Sequence, residues 1–335
     1  MREISILDID GVMLGHAQNA AAGTGCSVLV CASGARAGVD VRGGAPATRE
    51  TDLLNPVNMI EQIHAVLLSG GSAFGLSAAA GVMKYLEEHG IGFNVTVANC
   101  ARGCVPIVCG ASLFDLALGD PAVRPDEAMG YEACVNAFVE NSSQTPQGNV
   151  GAGTGASVGK FYGMSRAMKC GFGVYGLESG GLKVASVVAV NAFGDVVDQE
   201  TGKAFAGLLD EHGEEIIDTE KAMCESIGTK NEPLHGAGSN TTIGAVVTNG
   251  KMTKAQAAKV ASMAHNGLAR SLRPAHTMFD GDTVFALSVG DVEADVNVIG
   301  VLAARTMSRA ICEAALHAES AYGLRGARAL SHITR

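Results

Sequence analysis

Asn240 and Thr241 stand near the head of the run Ser239-Asn240-Thr241-Thr242-Ile243-Gly244-Ala245-Val246-Val247. A small polar residue there precedes a threonine that begins an apolar, β-branched strand. Cutting the bond between them would make Thr241 a new N-terminus, with a hydroxyl and a free α-amine on one residue. An α-amine titrates at about pH 7.7–8.0, so near neutrality a good fraction can take a proton. That is a nucleophile with a built-in base, the N-terminal-threonine form of nucleophilic catalysis. The same residues also make an ordinary turn into a sheet, and other segments must decide between the two.

Three further stretches invite chemistry and fail to specify it. Gly151 to Lys160 is not a P-loop, because Thr154 occupies the place of the first required glycine and Phe161 follows the lysine where Ser or Thr should hold magnesium. Gly151-x-Gly153-x-x-Ala156 matches a dinucleotide fingerprint only loosely, with no clear strand-to-helix context. Gly70-Gly71-Ser72-Ala73-Phe74-Gly75 has one residue too many after the serine for a nucleophile elbow. It reads better as a strand leaving a sheet through glycines, with Ser72 capping the next helix. Cys100, Cys104 and Cys109 cluster locally, but their spacing fits no common zinc or iron–sulfur pattern. No metal and no cofactor is expected.

The elements that must carry these residues follow from composition and pattern. Of 335 residues, 47% are hydrophobic, 17% are charged and 44 are glycine, which describes a large core with many tight turns rather than a disordered chain. No run nears the roughly 18 apolar residues of a membrane helix, and Met1-Arg2-Glu3-Ile4-Ser5 lacks the layout of a signal peptide. A formal charge of −10 argues against nucleic acid or an anionic membrane as partner. Nine cysteines without framework spacing read as reduced thiols of a cytoplasmic protein.

Alternation and β-branching predict strands over 25–31, 65–68, 184–190, 243–248 and 283–289. Helices are expected over 72–88, ending at His89-Gly90, and over about 297–319. A third begins at Thr253, a good N-cap, and places Val260, Ala264, Leu268 and Leu272 on one face. Strands separated by long helices give an α/β layered fold. The polar stretch 140–148 is the expected variable connection, and 232–240 a second. The glycines of the second would let the backbone bend sharply ahead of Thr241, as a hydroxyl reaching back to the Asn240 carbonyl requires. One domain over 1–335 is expected.

Longer blocks carry a resemblance. Asp40-Val41-Arg42-Gly43-Gly44-Ala45-Pro46-Ala47-Thr48-Arg49-Glu50-Thr51-Asp52 and Leu68-Ser69-Gly70-Gly71-Ser72-Ala73-Phe74-Gly75-Leu76 come first. Val105-Pro106-Ile107-Val108, Gly148-Asn149-Val150-Gly151-Ala152-Gly153-Thr154-Gly155 and Ser239-Asn240-Thr241-Thr242 follow. Arg273-Pro274-Ala275-His276-Thr277 and Phe279-Asp280-Gly281-Asp282-Thr283-Val284-Phe285-Ala286 complete the set. In this order they resemble the L-aminopeptidase/D-esterase family, which includes β-peptidyl aminopeptidases and the nylon-oligomer (aminohexanoate-oligomer) hydrolase. A threonine at the cut resembles the nylon-oligomer subgroup.

The resemblance implies a four-layer α/β/β/α sandwich, similar to N-terminal-nucleophile hydrolases but differently connected. It implies self-cleavage between Asn240 and Thr241 into subunits 1–240 and 241–335 that stay associated, and a homotetramer. Thr241 would form an acyl-enzyme with a small peptide or amide oligomer. Asn191 matches an asparagine that supports the developing oxyanion, and Lys160 a lysine beside the nucleophile, whose charge would favour a neutral α-amine. Asp280 and Asp282 match an acidic pair that contacts the threonine; in a strand they would share a face. Phe114 stands where the aminopeptidases carry a substrate-binding tyrosine, and it cannot donate that hydrogen bond.

Each assignment has a plainer competitor. Lys160 could be a solvated lysine after a glycine turn, Asn191 a strand end, and Asp280-Gly281-Asp282 a turn. Two other functions stay open at this level: acyl transfer to an amine, as in ornithine acetyltransferase, and an uncleaved homologue that only binds.

Overall fold

A computed structural model describes residues 1–95, 103–139, 145–227 and 240–330. Cys100, most of 140–148 and all of 232–240 except Asn240 lie outside the described residues, so the two expected connections are left aside.

Among the described residues, ten strands build the two main sheets: β1 (Arg2–Ile4), β2 (Val12–Asn19), β3 (Thr24–Val41), β4 (Thr48–Arg49), β5 (Ile63–Ser69), β6 (Val108–Ser112), β7 (Phe172–Ser179), β8 (Leu182–Asn191), β9 (Thr241–Gly250) and β10 (Thr283–Val292). Four helices cover them: α1 (Ala78–Glu88), α2 (Glu127–Val139), α3 (Lys254–Ser271) and α4 (Val296–Leu316). The long β3 belongs to two sheets. Its second half, from Arg36 to Val41, pairs with β10, which continues through β9, β8 and β7 to β1. Its first half pairs with β2 on one side and with β5, then β6 and β4, on the other. The register slips between Val30 and Ala35, where Gly34 takes a φ of 85°. Such a bulge bends a strand, and only glycine adopts that backbone without strain.

Period-two alternation sorts the side chains into layers. Along β8, Ala185, Val187 and Ala189 enter a core shared with Leu29, Leu68, Ile243 and Phe285, between the two sheets. Their neighbours Val184, Val188 and Val190 enter another with Val260 and Ala264 of α3 and Met307 and Ala310 of α4. Val28, Val30 and Leu67 pack with Val82 and Leu86 of α1 and Ala133 and Ala137 of α2 in a third. The order is helices, sheet, sheet, helices, as the resemblance implies. Strands buried on both faces read as apolar runs, which is why β8, β9 and β10 are plain in the sequence.

The five expected strands lie inside β3, β5, β8, β9 and β10. Thr253 caps α3 through a capping box with Gln256, but Leu272 falls just past the helix in a short strand. Ser72 does not cap a helix: it opens a 3-10 turn (Ser72–Ser77) ahead of α1 with a φ of 55°. The eight described cysteines are free, Cys104 and Cys109 among them. Among the described residues no helix is long and apolar enough to cross a membrane.

Candidate active site

The first residue of β9 and the last of β8 are cross-strand partners: Thr241 opposes Asn191. On the other side β10 runs parallel to β9, and the turn before it bridges Asp280 to Asn240. Thr241 therefore sits between two strand ends, 3% exposed, at one edge of the central sheet. In this uncut chain its hydroxyl donates to the carbonyl oxygen of Asn240. The Gly281 N–H donates to that same oxygen at 3.0 Å. A Cβ on Gly281 would stand 2.7 Å from Thr241 Oγ1, so the approach demands glycine.

Lys160 reaches the site from a tight loop. Its backbone N–H donates to Phe193 O at 3.0 Å, and Nζ donates to Asn191 Oδ1 at 2.7 Å and to Asn191 O at 3.1 Å. The ammonium is thus fixed on the residue directly across from Thr241. Burial pulls Lys160 down to about 7, against the opposing pull of the Asp280 charge. The Asn191 amide is held at both ends: Oδ1 also accepts from Ser157 N at 3.1 Å, and Nδ2 donates to Phe114 O at 2.8 Å. Phe114 therefore meets the site through its main-chain carbonyl, orienting Asn191.

Asp280 and Asp282 are each 1% exposed and lie in the turn just ahead of β10, not within the strand. Asp280 Oδ2 accepts from Thr277 N at 2.9 Å and Thr277 Oγ1 at 2.6 Å, and Oδ1 from Phe193 N at 3.3 Å. Burial, and next the neighbouring Asp282 charge, push Asp280 up to about 6. Asp282 Oδ1 accepts from Thr242 N at 2.8 Å, and Oδ2 from His276. Neither carboxylate accepts from the Thr241 hydroxyl, which donates to Asn240 O. Asp282 holds the backbone just after Thr241, and Asp280 the backbone at Phe193, two residues past Asn191.

Phe161, Phe193 and Phe279 form a chain of rings, 6.0 Å and 5.7 Å apart, beside Lys160 and Asp280. They pack with Leu208 and Ala222 into an apolar wall. Sequence reasoning missed His276, Thr277, the Gly281 N–H and Asp115. Asp115 is buried and accepts from Thr24 Oγ1 and from Gly71 N, both at 2.7 Å, fixing the glycine turn after β5. The matched blocks contained His276 and Thr277, but nothing in their residue types announced a turn that folds back on Asp282.

Chemically, the site offers a hydroxyl facing a carbonyl, a main-chain donor on that carbonyl oxygen, an amine near neutrality and a buried acid pair. That inventory suits acyl transfer from an amide.

Comparison with known proteins agrees. The model of peptidase family S58 matches residues 5–329. An uncharacterized aminopeptidase of Mycobacterium leprae is 41% identical over 96% of this chain and 92% of its own length. The 6-aminohexanoate-oligomer endohydrolase of Paenarthrobacter ureafaciens is 31% identical over 93% of this chain and 86% of its own. The crystal structure of the L-aminopeptidase D-Ala-esterase/amidase of Ochrobactrum anthropi, a variant of the Ntn hydrolase fold, superposes with a TM-score of 0.68 over 96% of this chain and 89% of that one, at 16% identity. With the family model spanning both sheets and both helical layers, the chain belongs to peptidase family S58 and is a peptide or amide hydrolase.

Proposed function

We propose that this hydrolase makes its own nucleophile by cutting the Asn240–Thr241 bond and then cleaves small peptides or amide oligomers through an acyl-enzyme on Thr241. The observation that carries this reading is the scissile carbonyl itself. Its oxygen accepts from the Thr241 hydroxyl and from Gly281 N–H at 3.0 Å. In the first stage Thr241 Oγ1 bonds to the Asn240 carbonyl carbon as its proton passes to Lys160, while Gly281 N–H stabilises the charge that develops on oxygen. The C–N bond then breaks, with a proton delivered to the Thr241 nitrogen. Water hydrolyses the resulting ester, releasing the Asn240 carboxylate and the free hydroxyl and amine of Thr241.

The second stage repeats that chemistry on a substrate amide, now with the α-amine available as base. Asn191, oriented by Phe114 and Lys160, lies opposite the nucleophile to support the oxyanion, and Asp280 and Asp282 hold the strand end. The apolar wall suits substrates with aliphatic stretches. Relatives called aminopeptidase and 6-aminohexanoate-oligomer endohydrolase favour small amides with a free amino end or a repeating aliphatic spacer. The 1–240 and 241–335 pieces would stay together, because β9 lies between β8 and β10, and β10 pairs with β3. Assembly as a homotetramer in the cytoplasm belongs to the same reading.

Intact mass under denaturing conditions tests it. The wild type is expected as two fragments ending and beginning at the 240/241 bond, and Thr241→Ala as one species of 34.1 kDa. A wild type that stays whole after prolonged incubation, or a cleaved mutant, would refute the mechanism.

A further inference from the structure

His276 is absent from the chemistry so far, yet its geometry is unusual. It is a non-glycine residue with a φ of 60°, a backbone state that L residues occupy only where the surroundings enforce it. That turn brings two donors of one residue onto one atom: His276 N lies 3.0 Å and Nδ1 2.8 Å from Asp282 Oδ2. The other oxygen of the same carboxylate holds Thr242 N at 2.8 Å, the residue next to the nucleophile. A carboxylate only accepts, so Nδ1 is the donor in this bond. Nε2 is buried with no hydrogen-bond partner among the described residues. His265 of α3 packs edge-on against this ring at 4.8 Å and is anchored through Nε2 to Asp40 O at 2.9 Å. The charged or titratable groups around His276 are thus Asp282 and Asp280 on its own segment, His265 on α3, and Asp40 of β3 with Arg42 just past its end, the last two paired at 2.9 Å.

We propose that His276 is a positioning residue for the reaction: its ring, backed by His265, fixes the Asp282 carboxylate and through it the backbone at Thr241–Thr242. The inference rests on the reading of Thr241 as nucleophile. His276 takes no proton from substrate and acts only through Asp282. The strained turn is what allows ring and backbone to reach the same oxygen, so the arrangement depends on this one residue's conformation.

The test uses freshly synthesised, uncut full-length chains of wild type, Thr241→Ala, His276→Gly and His276→Asn, with cleavage followed by intact mass between pH 5 and 9. Glycine keeps the left-handed turn and the backbone bond and deletes only the ring. Asparagine tolerates the same turn and supplies a side-chain N–H in place of Nδ1. His276→Gly is expected to cut roughly 10- to 100-fold more slowly, the effect of losing one hydrogen bond to a charged group. His276→Asn should stay within about threefold of wild type. A folded His276→Gly that cuts at the wild-type rate overturns the proposal, as does an asparagine variant as slow as glycine. If the glycine variant does not fold, the asparagine variant decides alone: within about threefold supports, slower overturns. Cleavage of Thr241→Ala would instead sink the reading beneath it, leaving a different pattern of results.

Discussion

Lys160 and Lys169 bracket one short stretch of chain, and burial takes both ammonium groups out of water and pulls both down to about 7. Their surroundings differ. Lys169 Nζ donates to three main-chain carbonyls, those of Gly153 and Ala156 at 3.0 Å and that of Cys170. These are fixed dipoles that favour its charged form and have no proton to exchange. Lys160 Nζ instead meets the Asn191 side chain and carbonyl opposite Thr241, within the field of Asp280. Lys254 repeats the first pattern, joining Leu53 O, Asn58 O and Ile60 O to the start of α3. A buried lysine is therefore no sign of catalysis by itself. What its nitrogen faces, carbonyls of a loop or the groups around a nucleophile, separates a staple from a participant.

Replacing each lysine by methionine, which keeps the length of the stem, puts that contrast at risk. Lys160→Met should lose the amine that takes the Thr241 proton, slowing self-cleavage by about 10²–10⁴-fold, the usual range for a general base. Its thermal midpoint should fall less than that of Lys169→Met, since Asn191 Oδ1 keeps the bond from Ser157 N. Intact mass against time, with a melting curve on the same sample, measures both. A Lys160→Met chain that matures at the wild-type rate would erase the distinction.

Lys169→Met should behave the other way round. It leaves the loop carbonyls without their charged donor, at about 1–3 kcal/mol for an acceptor left unsatisfied in the interior. The loop loses the tie between Gly153, Ala156 and Cys170 just ahead of the Ser157–Val158 strand that leads to Lys160. A midpoint lowered by several degrees with maturation slowed less than about tenfold is the expected pair of results. Loss of maturation in a fully folded Lys169→Met chain would mean that the staple reaches the chemistry after all.

The same contrast marks how far the sequence could be read. Strands such as β8 and β9 are apolar on both faces and announce themselves, and Thr253 with Gln256 marks the start of α3. The α2 helix does not: its buried face is Gly130, Ala133, Cys134 and Ala137, small residues that give hardly any periodic signal. The double membership of β3 depends on partners far away in the chain. At the site, Thr241 drew the eye because an N-terminal nucleophile would need such a residue at a strand start, whereas Lys160, Asn191 and the acid pair came only with the resemblance. Lys169 and His276 were silent, since neither a lysine ringed by carbonyls nor a left-handed turn at a histidine is written in local residue types.

The smallest effect sharpens the comparison most, because it asks which lysine titrates with the rate. Lys160 can take a proton only when neutral. Its lowered value means that the amine is charged and inactive below about 7 and free above it. Self-cleavage should therefore rise as pH increases through about 7. Asp280, raised to about 6, ionises just below that and adds a second loss on the acid side. Lys169→Met should keep the rise near 7, within a few tenths of a pH unit, as its nitrogen exchanges no proton with the nucleophile. The residual rate of Lys160→Met should lack it and retain only the fall near 6. A rise that survives in Lys160→Met and vanishes in Lys169→Met would exchange the two roles, and with them the rule that the facing groups decide.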